Sequence, residues 1–249
     1  MTLTAAVHSS ERNRVQDRAH VPLAVSTVIF ALRPHPGTGL STLWLPLVRR
    51  IRDPFEGLWA LPGGWVRADE SLADAAASNL LETTHVRPAY LEQLYAFGDV
   101  DRSPTGRVVS VVYWALVRAE QIEREPEGEN VRWVLADELP ELAFDHNLIV
   151  EYALWRLRTK VEYSRIAQAF LGETFTLSEL RHVHEAIRGV ALDPANFRRQ
   201  ILSGDAVVVT DERVTGGRHR PPRLYRYDTS IELADNGPLP PYRPEGNRP

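Results

Sequence analysis

Apolar positions recur at two different spacings along the chain, and the change of spacing divides it. Between residues 21 and 155 short β-rich runs dominate. Leu23–Leu32 and Thr42–Val48 read as two strands, separated by the turn-forming stretch Pro34-His35-Pro36-Gly37-Thr38-Gly39. Ser71–Thr84 then shows helical spacing, with Leu72, Ala76 and Leu80 on one stripe and Ser71 with Asp74 as a capping pair. Arg107–Val117 is a nearly continuous Val-rich apolar run, which predicts a central strand covered on both faces. Asn130–Leu135 adds a short strand. Asp145 is expected to cap a helix carrying Leu148, Ile149, Tyr152 and Trp155.

From about residue 160 the pattern becomes three short helices followed by two strands. Tyr163, Ile166, Ala167 and Phe170 mark a first helix stopped by Gly172, so the segment from Asp145 to about Phe170 is expected to be helical with little linker. The second helix has complete start signals: Thr176 and Glu179 form a capping box, Phe175 and Leu180 a hydrophobic staple, and Gly189 ends it. Asp193 with Pro194 opens the third, which closes at Gly204. Ala206–Thr210 and Arg223–Tyr227 are strands joined by an Arg-bearing loop. That order is the outline of a winged helix-turn-helix. The predicted organisation is a mixed-sheet α/β (α+β) domain over 21–154 and a winged helix over 155–232, between a loose polar tail (1–20) and a Pro-rich tail (233–249).

Composition narrows the class. With 43% apolar and 25% charged residues the chain can bury a core, and its 249 residues suit one large or two modest domains at roughly 150 residues each. The longest apolar-leaning stretch, Val21–Leu32, is interrupted by Pro22, Ser26 and Thr27 and falls short of a membrane span. Residues 1–12 run into charge without an apolar segment, so no secretory leader is expected and a cytoplasmic address follows. The absence of cysteine removes disulfides, thiolate metal sites and thiol nucleophiles. Residues 1–154 hold 14 cationic and 21 acidic side chains, residues 155–232 hold 13 and 10, and 233–249 hold two of each. An acidic body joined to a mildly basic module points to two partners of different kinds.

Gly57-Leu58-Trp59-Ala60-Leu61-Pro62-Gly63-Gly64-Trp65-Val66, followed by Glu70 and the helix from Ser71, resembles the entry to a Nudix box. In that family Gly, five residues, Glu and seven residues lead into Arg-Glu-apolar-any-Glu-Glu-any-Gly-apolar. Gly64 and Glu70 keep the register, but the core reads Ser78-Asn79-Leu80-Leu81-Glu82-Thr83-Thr84-His85-Val86. Positions 79, 82 and 83 share one helical surface. In the family's enzymes three carboxylates there hold magnesium, which neutralises a diphosphate and activates water. Asn79 and Thr83 carry no charge, leaving Glu82 alone, so the catalytic helix is read as disabled and magnesium is not expected. Leu47-Val48-Arg49-Arg50, Pro54-Phe55, Asp101-Arg102, Gly106-Arg107 and Phe144-Asp145-His146 occur in the order seen in ADP-ribose-type Nudix domains, so the resemblance spans roughly residues 21–155.

The candidate ligand residues follow from that likeness. Arg49 and Arg50 end a strand where guanidinium forks can meet phosphate oxygens, against the plainer reading of a solvated strand end. Arg102 and Arg107 flank a loop over the same sheet and can reach phosphate or ribose, against the plainer reading of a surface salt bridge. Phe55 and Trp59 are candidates to stack an adenine or else belong to the core. Gly63 and Gly64 admit close backbone approach, Glu82 can accept from a ribose hydroxyl or face water, and His146 either contacts ligand or packs at a helix start.

In the third helix of the basic module Phe197 and Ile201 define the buried side. Asn196, Arg199 and Gln200 then turn outward as residue types that read base edges, with Arg198 at the margin toward phosphate. Arg218, His219, Arg220 and Arg223 concentrate cations where a wing would meet the backbone. A disabled Nudix domain followed by Phe175-Thr176-Leu177-Ser178-Glu179-Leu180, Asn196-Phe197-Arg198-Arg199 and His219-Arg220-Pro221-Pro222-Arg223-Leu224-Tyr225 resembles the Nudix-related transcriptional regulators of NAD metabolism. The resemblance implies a homodimeric bacterial repressor that is not an enzyme. It would need no cofactor, bind double-stranded operator DNA through the winged helix and sense ADP-ribose or a similar nucleotide through the Nudix domain. An ADP-ribose pyrophosphatase with an accessory domain and a Nudix-like protein-interaction adaptor are the competing readings.

Overall fold

A computed structural model describes residues 21–85, 88, 90–118, 130–204, 206–213 and 222–228. The two tails and the centre of the wing loop lie outside them, and with them Arg218, His219 and Arg220. The elements in chain order are strands β1 (Leu23–Pro34), β2 (Ser41–Arg49), β3 (Trp59–Ala60) and β4 (Gly63–Trp65), helix α1 (Leu72–Thr84), strands β5 (Tyr90–Phe97), β6 (Val109–Val117) and β7 (Val131–Leu135), and helix α2 (His146–Lys160). A 3-10 helix (Ile166–Phe170), α3 (Leu177–Arg188), α4 (Pro194–Ser203) and the hairpin β8 (Val207–Arg213) and β9 (Arg223–Tyr227) complete it.

The first unit is a mixed sheet ordered β3-β2-β1-β6-β5, in which β1 and β6 run parallel and β5 is antiparallel to β6. Along β1, Ala24–Ser26 pair with β4 and Ala31–Pro34 pair with β2, so β2 and β4 diverge from one strand and leave a cleft between them. Alternation along the central strands sends Val28, Phe30, Val112, Trp114 and Leu116 to one face, against Ile149, Val150, Ala153 and Leu157 of α2. Val25, Ile29, Val111, Tyr113 and Ala115 face the other way, against Ala75, Ala76 and Leu80 of α1. Period-2 strands sandwiched by helices are what the Val-rich run at β6 predicted.

The second unit packs only on the α2 face: Phe175, Leu180, Val183, Ile187, Phe197, Tyr225 and Tyr227 join the same core as Trp114 and Leu157. Its three helical segments and hairpin form the expected winged helix. The Thr176/Glu179 capping box is closed in both directions, and Gly189 ends α3 at φ 68°.

Two expectations are corrected, and one strand was not anticipated. β5 carries polar residues at Glu92 and Gln93 and a bulge between Gln93 and Tyr95, which broke the alternation that would have marked it as a strand. The helix from Asp145 does not continue to Phe170: it ends at Lys160, a turn follows, and residues 166–170 form a 3-10 helix. Asp145 precedes α2 but makes no capping hydrogen bond with its side chain, because its carboxylate is taken by Arg102.

Candidate functional site

The cleft left by the divergence of β2 and β4 has a volume of about 550 Å³. Its rim is cationic, formed by Arg49, Arg50 and Arg52, and Arg102 enters from the opposite loop. Asp53 is the one carboxylate bordering it among the described residues. The buried hydroxyls of Ser26 and Ser110, 3.1 Å apart, lie in its floor. This composition suits a compact anion with polar substituents, such as a sugar diphosphate, and opposes a cation.

Each wall has a local cause. Gly63 stands where a Cβ would come within 2.4 Å of the Val25 carbonyl oxygen, so only glycine lets β4 reach β1. Gly64 faces Asn79 of α1, whose Oδ1 would be 3.2 Å from an added Cβ. Arg50 is half-buried: its Nε donates to the Pro54 carbonyl at 2.7 Å, and its guanidinium lies over the Phe144 ring, 4.7 Å from the centroid. Burial pulls its pKa below the ordinary arginine value.

Phe144, Asp145 and His146 line up three contacts in succession. Phe144 has φ 57°, an uncommon conformation for a bulky residue, and its ring meets Arg50, Phe55 and His146. Asp145 accepts Arg102 Nε at 3.0 Å and Nη2 at 2.7 Å, a two-point ion pair in which the Arg102 side chain is only 5% exposed. The buried His146 accepts the Leu61 amide through Nδ1 at 3.0 Å. Burial is the main reason its pKa falls to about 4, so it is neutral and fixes the loop ahead of Gly63.

Of the sequence candidates, Arg49, Arg50, Gly63, Gly64, Arg102 and His146 border the cleft, and Phe55, Trp59, Glu82 and Arg107 do not. Phe55 is edge-on to Phe144, Trp59 packs on the core, Arg107 donates to the Gly98 carbonyl, and Glu82 is exposed on α1. Trp65, 64% exposed at the end of β4, does border the cleft, as does Phe144. Sequence reasoning missed Trp65 and Arg52. The available signal for Trp65 was its position directly after two glycines that bring the backbone to the cleft.

The residues of α1 do not fit magnesium. Thr83 turns its hydroxyl back to the Asn79 carbonyl at 2.7 Å, and Glu82 has no acidic neighbour at positions 79 or 83. Among the described residues no group of three His, Asp or Glu side chains is placed to hold a metal.

In the winged helix, Asp193 caps α4 through the Asn196 amide, Phe197 is buried, and Asn196, Arg198, Arg199 and Gln200 are exposed. Arg199 donates to the Asn196 side chain. Arg198 and Arg223 come together with Thr176, Leu177 and Ser178 around a groove of about 520 Å³. Two cations beside the N-terminus of α3 make a setting for a backbone phosphate. Asn196 and Gln200 instead border a second groove with His184 and Arg188.

Comparison with known proteins agrees with both halves. Residues 23–153 match the NUDIX domain family and residues 167–227 the NrtR DNA-binding winged helix domain family. The chain is 34% identical to the ADPR responsive transcriptional repressor NtrR of Acinetobacter baylyi over 190 residues, 74% of this chain and 76% of that protein. Crystal structures of Shewanella oneidensis NrtR, alone and complexed with a 27mer DNA, are 37% identical. They superpose with TM-scores of 0.69 and 0.68 over 83% of this chain and 94% and 93% of theirs. An ADP-ribose pyrophosphatase of Methanocaldococcus jannaschii is 32% identical over 111 residues, 44% of this chain and 66% of that protein.

Proposed function

The chain belongs to the Nudix-type transcriptional regulators that include NtrR and NrtR, and from that premise we propose how its two halves divide the work. The protein is an ADP-ribose-responsive DNA-binding repressor. ADP-ribose or a closely related nucleotide occupies the cleft, its diphosphate against Arg49, Arg50, Arg52 and Arg102 and its adenine against Trp65. The winged helix binds double-stranded operator DNA with Arg199, Asn196 and Gln200 toward bases and Arg198 and Arg223 toward phosphates. Arg218, His219 and Arg220 are assigned to the wing contact from sequence alone. A homodimer acting in the cytoplasm, near genes of NAD metabolism, completes the reading. Among the described residues no helix is long and apolar enough to cross a membrane.

The observation that carries the non-enzymatic part is the pairing of a cationic cleft with a helix stripped of its carboxylate cluster. Arginine supplies the countercharge that magnesium would otherwise supply, so binding survives where hydrolysis does not. The pyrophosphatase reading draws on the M. jannaschii relative, and one assay separates the two. With magnesium and ADP-ribose the protein should show no turnover near the rate of about 1 per second that is ordinary for enzymes. A gel-shift titration of its own upstream DNA should show a retarded complex that ADP-ribose dissociates. Ordinary turnover, or no complex with any such fragment, would reject this function.

A further inference from the structure

The contact that the cleft makes with α2 is an ion pair rather than a helix cap, and this bears on how a ligand is reported to the winged helix. Resting on the function proposed above, we propose that Asp145 is a positioning residue that competes with the ligand's diphosphate for Arg102, so that nucleotide binding releases Asp145 and shifts the start of α2.

The guanidinium edge of Arg102 that makes two-point contacts, Nε with Nη2, is fully engaged by the Asp145 carboxylate at 3.0 and 2.7 Å. The same side chain borders the cleft and is nearly buried, so a diphosphate meeting Arg102 there brings its negative charge beside that carboxylate. Two anions then share one cation in a poorly solvated place, and their mutual repulsion weakens the Arg102–Asp145 pair. The Asp145 carboxylate is the more exposed member of the pair, at 18% against 5%, and caps no helix amide, so it can swing away while its carbonyl still accepts the Ile149 amide. Its neighbours make the movement consequential. Phe144 underlies Arg50 in an uncommon backbone conformation, and His146 holds the Leu61 amide, so a shift at 145 is felt along both sides of the cleft.

At its other end α2 is tied to the winged helix. Arg158 donates to both Asp137 oxygens at 2.8 Å and, through Nε, to the Ile187 carbonyl of α3 at 3.0 Å. Ile187 lies two residues before Gly189, where the chain turns toward α4. A 15-residue helix thus runs from the anion-binding pair to the last turn before the recognition helix. The pair closed on itself favours the arrangement that binds operator. The opened pair favours the arrangement that binds nucleotide.

Asp145→Asn keeps the shape and removes the competing charge. Calorimetry with ADP-ribose and fluorescence anisotropy with an operator-bearing fragment of the protein's own upstream DNA, with and without ADP-ribose, read the consequence. The variant should bind ADP-ribose roughly threefold tighter or more and nucleotide-free operator about fivefold weaker or more. Its operator affinity should respond to ADP-ribose by less than about twofold. A merely structural role would weaken both ligands together, and that result, or an unchanged nucleotide response, overturns the proposal. A wild-type protein whose operator binding ignores ADP-ribose would reject the parent function as well. A responsive wild type beside an equally responsive variant rejects only the role of Asp145. If the variant does not fold, hydrogen exchange on the wild type decides: amides of residues 144–149 should change protection on adding ADP-ribose, and unchanged protection overturns the proposal.

Discussion

Helices α1 and α2 flank the same sheet, one on each face, and both approach the cleft, yet they have opposite fates. α1 keeps everything that makes it a packed helix: Ser71 caps the Asp74 amide at 3.1 Å, and Ala75, Ala76 and Leu80 are buried. Its outward face has lost the carboxylates that would give it chemistry. α2 breaks a local rule at its N-cap, because Asp145 forgoes the cap to hold Arg102, and that break is where, as proposed, the cleft is wired to the rest of the chain. Packing and chemistry on one helix are therefore separable, and a local rule set aside marks the working end.

The largest test of this contrast removes packing from the helix without chemistry. Leu80→Ala deletes a fully buried side chain between α1 and the sheet and should cost about 2–5 kcal/mol of stability. The folded protein should still bind ADP-ribose within about twofold of wild type, since Leu80 does not border the cleft. Denaturant unfolding together with calorimetry checks both halves. A folded variant that had lost ADP-ribose would make α1 part of the site.

The same contrast explains what the sequence disclosed. Elements with strong local signals were legible: the Val-rich β6, the Ser71 and Thr176 caps, the Gly189 stop and the Arg pair at the end of β2. Residues whose role depends on a distant partner were not. Asp145 has the composition of a cap, and only Arg102, 43 positions away, redirects it. Trp59 reads as a candidate to stack a base and Trp65 does not, yet core packing claims Trp59 while pairing with β1 leaves Trp65 exposed. β5 was hidden because its bulge shifts the alternation that marks a strand.

A second test addresses the start of α2. His146 is neutral because burial lowers its pKa from 6.5 to about 4, so the unfolded chain binds the extra proton first as pH falls. The associated stability is complete above pH 6.5 and is lost downward through about pH 4. At pH 4.5 the loss from this residue should be about 2–3 kcal/mol. His184, lowered to about 4 by burial and Arg188, acts in the same direction, so His146→Gln should remove only part of the acid sensitivity. Denaturation midpoints of the two proteins at pH 7.5 and 4.5 measure the difference. Equal acid losses would mean that His146 does not stay neutral in the fold.

Next in size is the cleft without its central cation. Arg50→Ala removes a cleft-lining guanidinium that Pro54 and Phe144 hold in place, and should weaken ADP-ribose by about tenfold or more, or roughly 1.5–3 kcal/mol. In the wild type, exchanging magnesium for a chelator should leave that affinity unchanged if, as proposed, arginine and not metal neutralises the diphosphate. A strong magnesium requirement would return α1 to the binding site.

The smallest expected effect is the most pointed. Glu82 is the last carboxylate of the cluster that α1 would need, and it invites the reading that some metal or ribose contact survives. It is exposed, does not border the cleft, and has Thr83 bonded back to the helix beside it. An exposed helical side chain without a partner contributes within about 0.5 kcal/mol to stability. Glu82→Gln should therefore leave the unfolding midpoint, the ADP-ribose affinity and its independence of magnesium where they are. Calorimetry in magnesium and in chelator is the check. A loss of fivefold or more in either would show that the ligand reaches across Gly64 to α1, and that the two helices share a single site after all.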